Sequence, residues 1–357
     1  MAKKVILDGE YFDDYLKVID KLKRRADKDS SPFHLLLGNG FSIAYDKEIF
    51  SYNALFKEME RGKNPDLVKL FKVTNTSNFE IVMQQLDTLI KLGESFGAND
   101  DFLEELRKIR TQLKLELINT IDRLHPECVF DIPEGSIQKC GDFLKPYSSK
   151  PNSIISTNYD LLLYWVLMRY NGLSSIANDG FSYPYEERMN EDDFIRSNDT
   201  LVWGGMTDEQ TVFYLHGALH LFDDNSDIIK EKYRDGQYIK QEIEKRINNN
   251  QYPIFVTEGD GDQKLQHIMH NGYLSNCYTH LKQIKGSLIT LGFSFGESDR
   301  HILKALNEAA RGDVRNRLNS VYVGVFSAED KERIEKIRGQ CFFKVNTFDA
   351  RTVPLWK

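Results

Sequence analysis

Apolar residues recur along this chain in short continuous runs rather than in alternation with polar ones. Six such runs predict β-strands, at residues 33–37, 153–157, 211–215, 287–292, 321–325 and 342–348. Strands that are apolar on both faces are typical of a parallel sheet covered by helices on both sides. We therefore predict an α/β, Rossmann-like doubly wound fold, with a mainly parallel sheet of about six strands and helical insertions.

Between the first two predicted strands the apolar period changes to that of helices. Residues 77–80 read Ser-Asn-Phe-Glu, a capping-box pattern, and the apolar face that follows continues to Gly93. A second helix begins near Asn99 and ends before Pro126. Residues 45–126 are therefore predicted to form a helical insertion.

The remaining organisation follows from the same patterns. Residues 228–250 are highly charged and predict a solvated helix, within a second, mostly helical insertion over residues 220–285. Since there is no internal repeat and no low-complexity tract, we expect residues 1–357 to form a single domain.

The amino-acid composition and the net charge limit the classes to which this protein can belong. The chain is 41% apolar and 28% charged, and 47 Lys and Arg against 54 Asp and Glu give a net charge of −7. An acidic chain of this kind is not expected to bind nucleic acid directly. It has neither a run of roughly 20 apolar residues nor a signal-peptide pattern. Its four cysteines are dispersed without a C-x-x-C pair, which predicts a cytoplasmic, reduced protein without membrane association.

The first candidate binding motif follows the strand at 33–37 and consists of Gly38, Asn39, Gly40, Phe41 and Ser42. Glycines allow backbone N–H groups to approach a phosphate, and a helix N-terminus favours negative charge. Isoleucine at position 43 stands where the dehydrogenase fingerprint has its third glycine. A dehydrogenase is therefore the least favoured of the functions considered. The alternative is a plain strand-to-helix turn capped by the serine.

Two further motifs follow predicted strands. After 153–157 come Asn158 and Asp160, which could serve a ligand or could form an ordinary turn and helix cap. After 211–215 comes His216, with His220 four residues later. We predict no metal site there, because the glutamate of the H-E-x-x-H motif is absent. Asp299, near a later helix start, is either a ligand contact or an N-cap.

Taken in order, these motifs resemble those of the sirtuin superfamily. Residues 38–42 look like its G-A-G-x-S phosphate loop, residues 156–160 like its T-Q-N-x-D segment, and His216-Gly217 like its H-G pair. Gly292 and Ser294 resemble its late G-x-S turn. The resemblance spans residues 35 to about 302, but the zinc module of two C-x-x-C pairs is missing. That departure is shared with prokaryotic sirtuin-like proteins of antiphage defence.

The resemblance implies an NAD+ hydrolase that releases nicotinamide and ADP-ribose and depletes NAD+ when activated in an assembly. It further implies a homo-oligomer, with a translocase-type ATPase or another defence protein as a possible partner. NAD+ would be the substrate, with no metal. Asn158, His216 and Asp160 would carry the reaction. The resemblance assigns the remaining site residues to NAD+ binding: Gly38, Asn39, Gly40, Phe41, Ser42, Thr157, Gly292, Ser294 and Asp299.

Three alternatives remain open at this point. An NAD-dependent protein deacylase needs an acyl-lysine groove, which the zinc module normally frames. An ADP-ribosyltransferase would differ in its acceptor, and a nucleotide-binding module would not turn NAD+ over at all. Because free hydrolysis of NAD+ would be toxic, we also expect a lid, formed by the aromatic loop around Tyr183 and Trp203 or by residues 252–273.

Overall fold

The fold is built on two β-sheets, with most of the helices packed around the larger one. The computed structural model describes residues 9–62, 64–183, 200–224, 227–232, 238–257 and 259–356. The strands are β1 Tyr11–Phe12, β2 Phe33–Leu37, β3 Ile154–Ser156, β4 Phe181–Ser182, β5 Leu201–Trp203, β6 Val212–Tyr214, β7 Gly217–Asp223, β8 Ile228–Lys230, β9 Pro253–Phe255, β10 Gly286–Leu291, β11 Leu318–Val325 and β12 Lys344–Asp349.

The helices vary in length from one turn to seven. They are α1 Tyr15–Asp29, α2 Gly40–Tyr45, α3 Lys47–Phe50, α4 Tyr52–Arg61, α5 Pro65–Thr74, α6 Phe79–Ser95, α7 Asp100–Leu124, α8 Glu134–Leu144, α9 Leu162–Arg169, α10 Ile239–Asn248, α11 Gly261–Met269, α12 Gly272–Gln283, α13 Arg300–Ala309 and α14 Ala328–Arg338. Among the described residues, none of these helices has the length and apolarity that a membrane crossing requires.

The larger sheet has seven strands in the order β1-β12-β11-β10-β2-β3-β6, and all neighbouring pairs are parallel. From the central β2 the chain moves outward through β3 and β6. It then returns to the other side of β2 and moves outward through β10, β11 and β12. The predicted Rossmann-like doubly wound sheet is thus confirmed, and its topological switch point lies between β2 and β10.

The pairing register aligns the carboxyl ends of four neighbouring strands at one edge of the sheet. Leu37 of β2 pairs with Leu291 of β10 on one side and with Ser156 of β3 on the other, and Ser156 pairs with Tyr214 of β6. All residues of β2, β3, β6 and β10 are buried, as the continuous apolar runs predicted. The loops after these strands therefore emerge side by side.

The smaller sheet is antiparallel, in the order β4-β5-β8-β7-β9, and the sequence did not predict it. The helix predicted over residues 228–250 is wrong at its beginning. Ile228–Lys230 is a strand between β5 and β7, and the helix starts at Ile239. A three-residue run carries too little periodicity to be assigned, so its neighbours in space decide its conformation.

The segment predicted as a helical insertion contains α3 to α7. Asn78 rather than Ser77 caps α6, accepting hydrogen bonds from the N–H groups of Glu80 and Ile81. Gly93 does not end this helix, because it lies within α6 where the side chain of Leu103 packs against it. These five helices are called the helical lobe below.

Candidate functional site

The predicted motifs lie at the carboxyl edge of four neighbouring strands. Gly292 follows β10, Gly38 follows β2, Thr157 follows β3 and His216 follows β6. The N–H of Leu215 donates to the carbonyl oxygen of Ser156 (2.8 Å), which holds the last two loops together. In a doubly wound sheet, ligands bind at this edge next to the switch point.

The two glycine loops at the switch point are packed backbone against backbone. The N–H groups of Gly38 and Gly40 donate to the carbonyl oxygens of Leu291 and Gly292, each at 3.0 Å. A Cβ atom on Gly40 would lie 2.5 Å from the Cα atom of Gly292, which itself has a φ of +66°. The glycines are thus required by this close approach. Both N–H groups already have backbone partners, so a diphosphate predicted at this loop would need other donors.

Two other residues of the first loop also have internal partners. The Asn39 amide donates to the carbonyl oxygen of Phe50 (3.2 Å). The ring of Phe41 is fully buried against Trp356, with 5.0 Å between ring centroids, and the Trp356 indole donates to the Phe41 carbonyl oxygen (3.0 Å). Phe41 therefore belongs to the core, and its side chain is not available to a ligand.

Ser42, Asn158 and Asp160 form one buried hydrogen-bond network. The Ser42 hydroxyl donates to Asp160 Oδ2 (2.5 Å) and accepts a hydrogen bond from Asn158 Nδ2 (3.0 Å). Asp160 Oδ1 accepts from the N–H of Leu162 (2.9 Å), so this carboxylate stabilises the turn into α9. Burial raises the pKa of Asp160, and the bond from Ser42 opposes that rise.

The network leaves one acceptor free. Asn158 Oδ1 is buried and has no hydrogen-bond partner within the described part of the chain. A buried polar atom without a partner is costly, so its presence requires an explanation. Because Ser42 fixes the other end of the amide, Oδ1 is held as an oriented acceptor. Thr157 does not share this role, since its hydroxyl donates to the carbonyl oxygen of Leu37 (3.1 Å).

His216 pairs with a second histidine that the sequence analysis missed. His216 Nε2 lies 2.9 Å from His301 Nε2, and both rings are buried. Burial, followed by the charge of Lys264, lowers the pKa of His216 well below its usual range. Burial also lowers the pKa of His301 to about 4. Both imidazoles are therefore neutral near pH 7, with one nitrogen donating to the other.

Asp299 lies beside the histidine pair and is held by a buried lysine. It does not cap α13, because its side chain makes no capping hydrogen bond. Lys264 is 0% exposed, and its Nζ lies 3.3 Å from Asp299 Oδ1 and 2.9 Å from Glu80 Oε2. Glu80 belongs to α6, so this ion triad joins the helical lobe to the sheet edge. No sequence motif marks Lys264, and Glu80 was noted only as part of a capping-box pattern, because their pairing depends on a contact across 184 residues.

The other predicted positions have different surroundings. Ser294 is exposed in the loop before α13, and the ring of His220 is stacked on that of Tyr164, with 4.6 Å between ring centroids. Within residues 252–273, predicted as one possible lid, Asp260 caps α11. The aromatic loop of the other predicted lid includes residues 184–199, which lie outside the described residues.

Comparison with known proteins identifies a family. The family described as "Domain of unknown function (DUF4917)" matches residues 35–356, and the chain belongs to it. No curated protein matches the chain. The likeness to sirtuins therefore depends on the motifs alone.

Proposed function

We propose that this member of the family is an NAD+ hydrolase, which releases nicotinamide and ADP-ribose. The observation that carries the proposal is the fixed Asn158 amide on one strand end, with His216 on the next strand end. Both lie at the edge where doubly wound sheets bind nucleotides. The order of the sirtuin-like motifs supports the same substrate.

The hydrolysis of NAD+ requires few catalytic groups. Nicotinamide in NAD+ is a cationic leaving group, so cleavage of its bond to ribose needs no general acid. The transition state resembles an oxocarbenium ion, as in glycoside hydrolysis. The protein must then hold the ribose and orient a single water molecule. Asn158 Oδ1, buried and without a partner, is suited to accept a hydrogen bond from a ribose hydroxyl or from that water.

His216 is the proposed base. As a neutral imidazole it can accept a proton from water or from a ribose hydroxyl, and burial, which lowers its pKa well below the usual range, makes it a weaker base than a free imidazole. Its contact with His301 fixes the orientation of its ring, and Asp160 acts indirectly by holding Ser42 and, through it, Asn158. The diphosphate would have to bind through groups other than the N–H groups of Gly38 and Gly40. Ser294, which is exposed in the loop after β10, is one candidate.

The biological setting is also part of the proposal. By likeness to the defence branch of the sirtuins, the chain would act in the cytoplasm as a homo-oligomer and deplete NAD+ during phage infection. A translocase-type ATPase, or another defence protein, would activate it. The buried link between the helical lobe and Asp299 offers a route by which assembly could reach the site.

The test is to incubate the purified chain with NAD+, alone and with the product of its neighbouring gene. Chromatography then separates nicotinamide, ADP-ribose and cyclic ADP-ribose. His216→Ala is expected to lower nicotinamide release by at least about 10²-fold, the contribution of a positioned base. The matched control is His270→Ala, since His270 is exposed on the surface.

Other outcomes would overturn the proposal. Turnover by His216→Ala equal to that of the wild type would remove His216 from the reaction. Calorimetric NAD+ binding without nicotinamide release under any of these conditions would indicate a non-catalytic nucleotide-binding module. A mass change on an acetylated peptide that requires NAD+ would indicate a deacylase.

A further inference from the structure

Three potential metal ligands meet at the sheet edge. One nitrogen each of His216 and His301 and one carboxylate oxygen of Asp299 all lie within 4.8 Å of one another. His216 follows β6, whereas Asp299 and His301 flank the start of α13, so the set is assembled only by the fold. Two imidazoles and one carboxylate suit zinc and its neighbours in the first transition row better than magnesium or calcium.

We propose that His216, His301 and Asp299 form a binding site for a divalent transition-metal ion of the zinc type. The two Nε2 atoms lie 2.9 Å apart. Nitrogen ligands of a tetrahedral zinc ion at about 2.0–2.1 Å are about 3.3 Å apart, so the two nitrogens need to separate by only a few tenths of an ångström. The proton that one of them donates to the other must move to the Nδ1 atom of its own ring, and the Asp299 carboxylate, within 4.8 Å of both nitrogens, must move closer to the ion. Three protein ligands leave a fourth position open for water or another small ligand.

Acidic groups outnumber the one lysine in the buried cluster around the three ligands. Lys264 carries one positive charge, and Asp299 and Glu80 each carry one negative charge, which leaves the buried cluster with a net negative charge. Imidazole binds metals in its neutral form. Lys264 contacts Asp299 through Oδ1, and a carboxylate has a second oxygen to offer. The lysine thus serves as the outer partner that orients a metal-binding carboxylate.

Metal binding would also regulate the site. A metal bound to His216 Nε2 takes the lone pair that would accept a proton, so zinc would inhibit NAD+ hydrolysis. This consequence rests on the proposed function, whereas the binding site itself does not.

The experiment measures binding directly on tag-free protein that has been dialysed against a chelator. Zn²⁺ is titrated in competition with a chromophoric chelator, and Co²⁺ is added separately to record its visible absorption. We expect about one equivalent to bind to the wild type. His301→Gln should bind at least about 10-fold more weakly, because second-sphere changes alone cost 10- to 100-fold and this change removes a ligand. His270→Gln is the matched control and should bind as the wild type does.

The cobalt spectrum, a second variant and measurements of folding test which residues bind the metal. A cobalt spectrum without a thiolate charge-transfer band excludes the free cysteines as ligands. Asp299→Asn provides a second variant, and circular dichroism and thermal unfolding show whether each variant is folded. Equal zinc affinity of the wild type and folded His301→Gln would overturn the site. If zinc binds but no NAD+ is hydrolysed, the site stands and the proposed function fails; if NAD+ is hydrolysed but zinc does not bind, the reverse holds.

Discussion

The N–H group of Gly40 donates a 3.0 Å hydrogen bond to the carbonyl oxygen of Gly292, across the switch point of the sheet. The loops after β2 and β10 are therefore joined at their bases. Sequence analysis assigned both glycines to a nucleotide, but the structure shows that they first make room for each other. Both glycines thus have a structural role at this contact.

Gly40→Ala should destabilise the protein. The new Cβ atom would lie 2.5 Å from Gly292 Cα. Because both contacting segments are backbone, moving either of them costs free energy. We expect a loss of about 1–3 kcal/mol in the free energy of unfolding, measured by urea denaturation. Gly135→Ala is the control: nothing lies within 4 Å of the added atom on α8, and the change should be neutral or stabilising. Equal stability of Gly40→Ala and the wild type would contradict the close packing.

Asn158→Ala should lower NAD+ turnover by about 10²-fold, because it removes the oriented Oδ1 acceptor. The chain should remain folded, since Ser42 keeps its bond to Asp160. Nicotinamide release and the near-ultraviolet circular dichroism are the measurements. Asn53→Ala, on the exposed surface of α4, should keep full activity. Activity retained in Asn158→Ala would remove the amide from the reaction.

Lys264→Met should destabilise the chain strongly. It leaves the carboxylates of Glu80 and Asp299 without their buried cation, a change that typically costs about 3–5 kcal/mol. Adding Glu80→Gln to this variant removes one of the two uncompensated charges and should recover part of the loss. Chemical denaturation of the wild type, the two single variants and the double variant forms a double-mutant cycle. Strictly additive losses would show that the two groups do not interact.

Asp122→Asn should stabilise the protein, and more so at pH 8 than at pH 5. Burial raises the pKa of Asp122 to about 7 despite the nearby Lys240, and one carboxyl oxygen has no partner in the described structure. The unfolded chain releases this proton at lower pH than the folded chain does. The residue's contribution to stability is therefore lost as pH rises from about 4 to 7.

Asparagine has nearly the same shape and no charge to bury, so it removes this penalty. The melting temperatures of the two proteins should be compared at pH 5 and pH 8. Asp66→Asn, near the exposed start of α5, is the control. A gain that is equal at the two pH values would contradict the raised pKa.

Most of the central sheet could be predicted because its strands β2, β3, β6 and β10 are buried on both faces. Such a strand is mostly apolar, as the phenylalanine and three leucines of Phe33–Leu37 show, and the pattern can be recognised without knowledge of the neighbouring strands. The glycine loops and the side chains of Asn158 and His216 were found for a related reason. Each directly follows a predicted strand, and parallel strands present their carboxyl ends at one edge.

The smaller sheet and half of the candidate site could not be predicted. Ile228–Lys230 is too short to show a period, so its pairing with β5 and β7 decides its structure. His301, Lys264 and Glu80 lie on three different helices, and each is an ordinary helical residue in its local sequence. Their hydrogen bonds and ion pairs join segments far apart in the chain. The sequence by itself therefore determined the layers and the sheet edge at which the motifs meet, because buried segments have an apolar local composition. Only the tertiary structure decided which polar groups meet there, because electrostatic contacts act over a few ångströms in space regardless of distance along the chain.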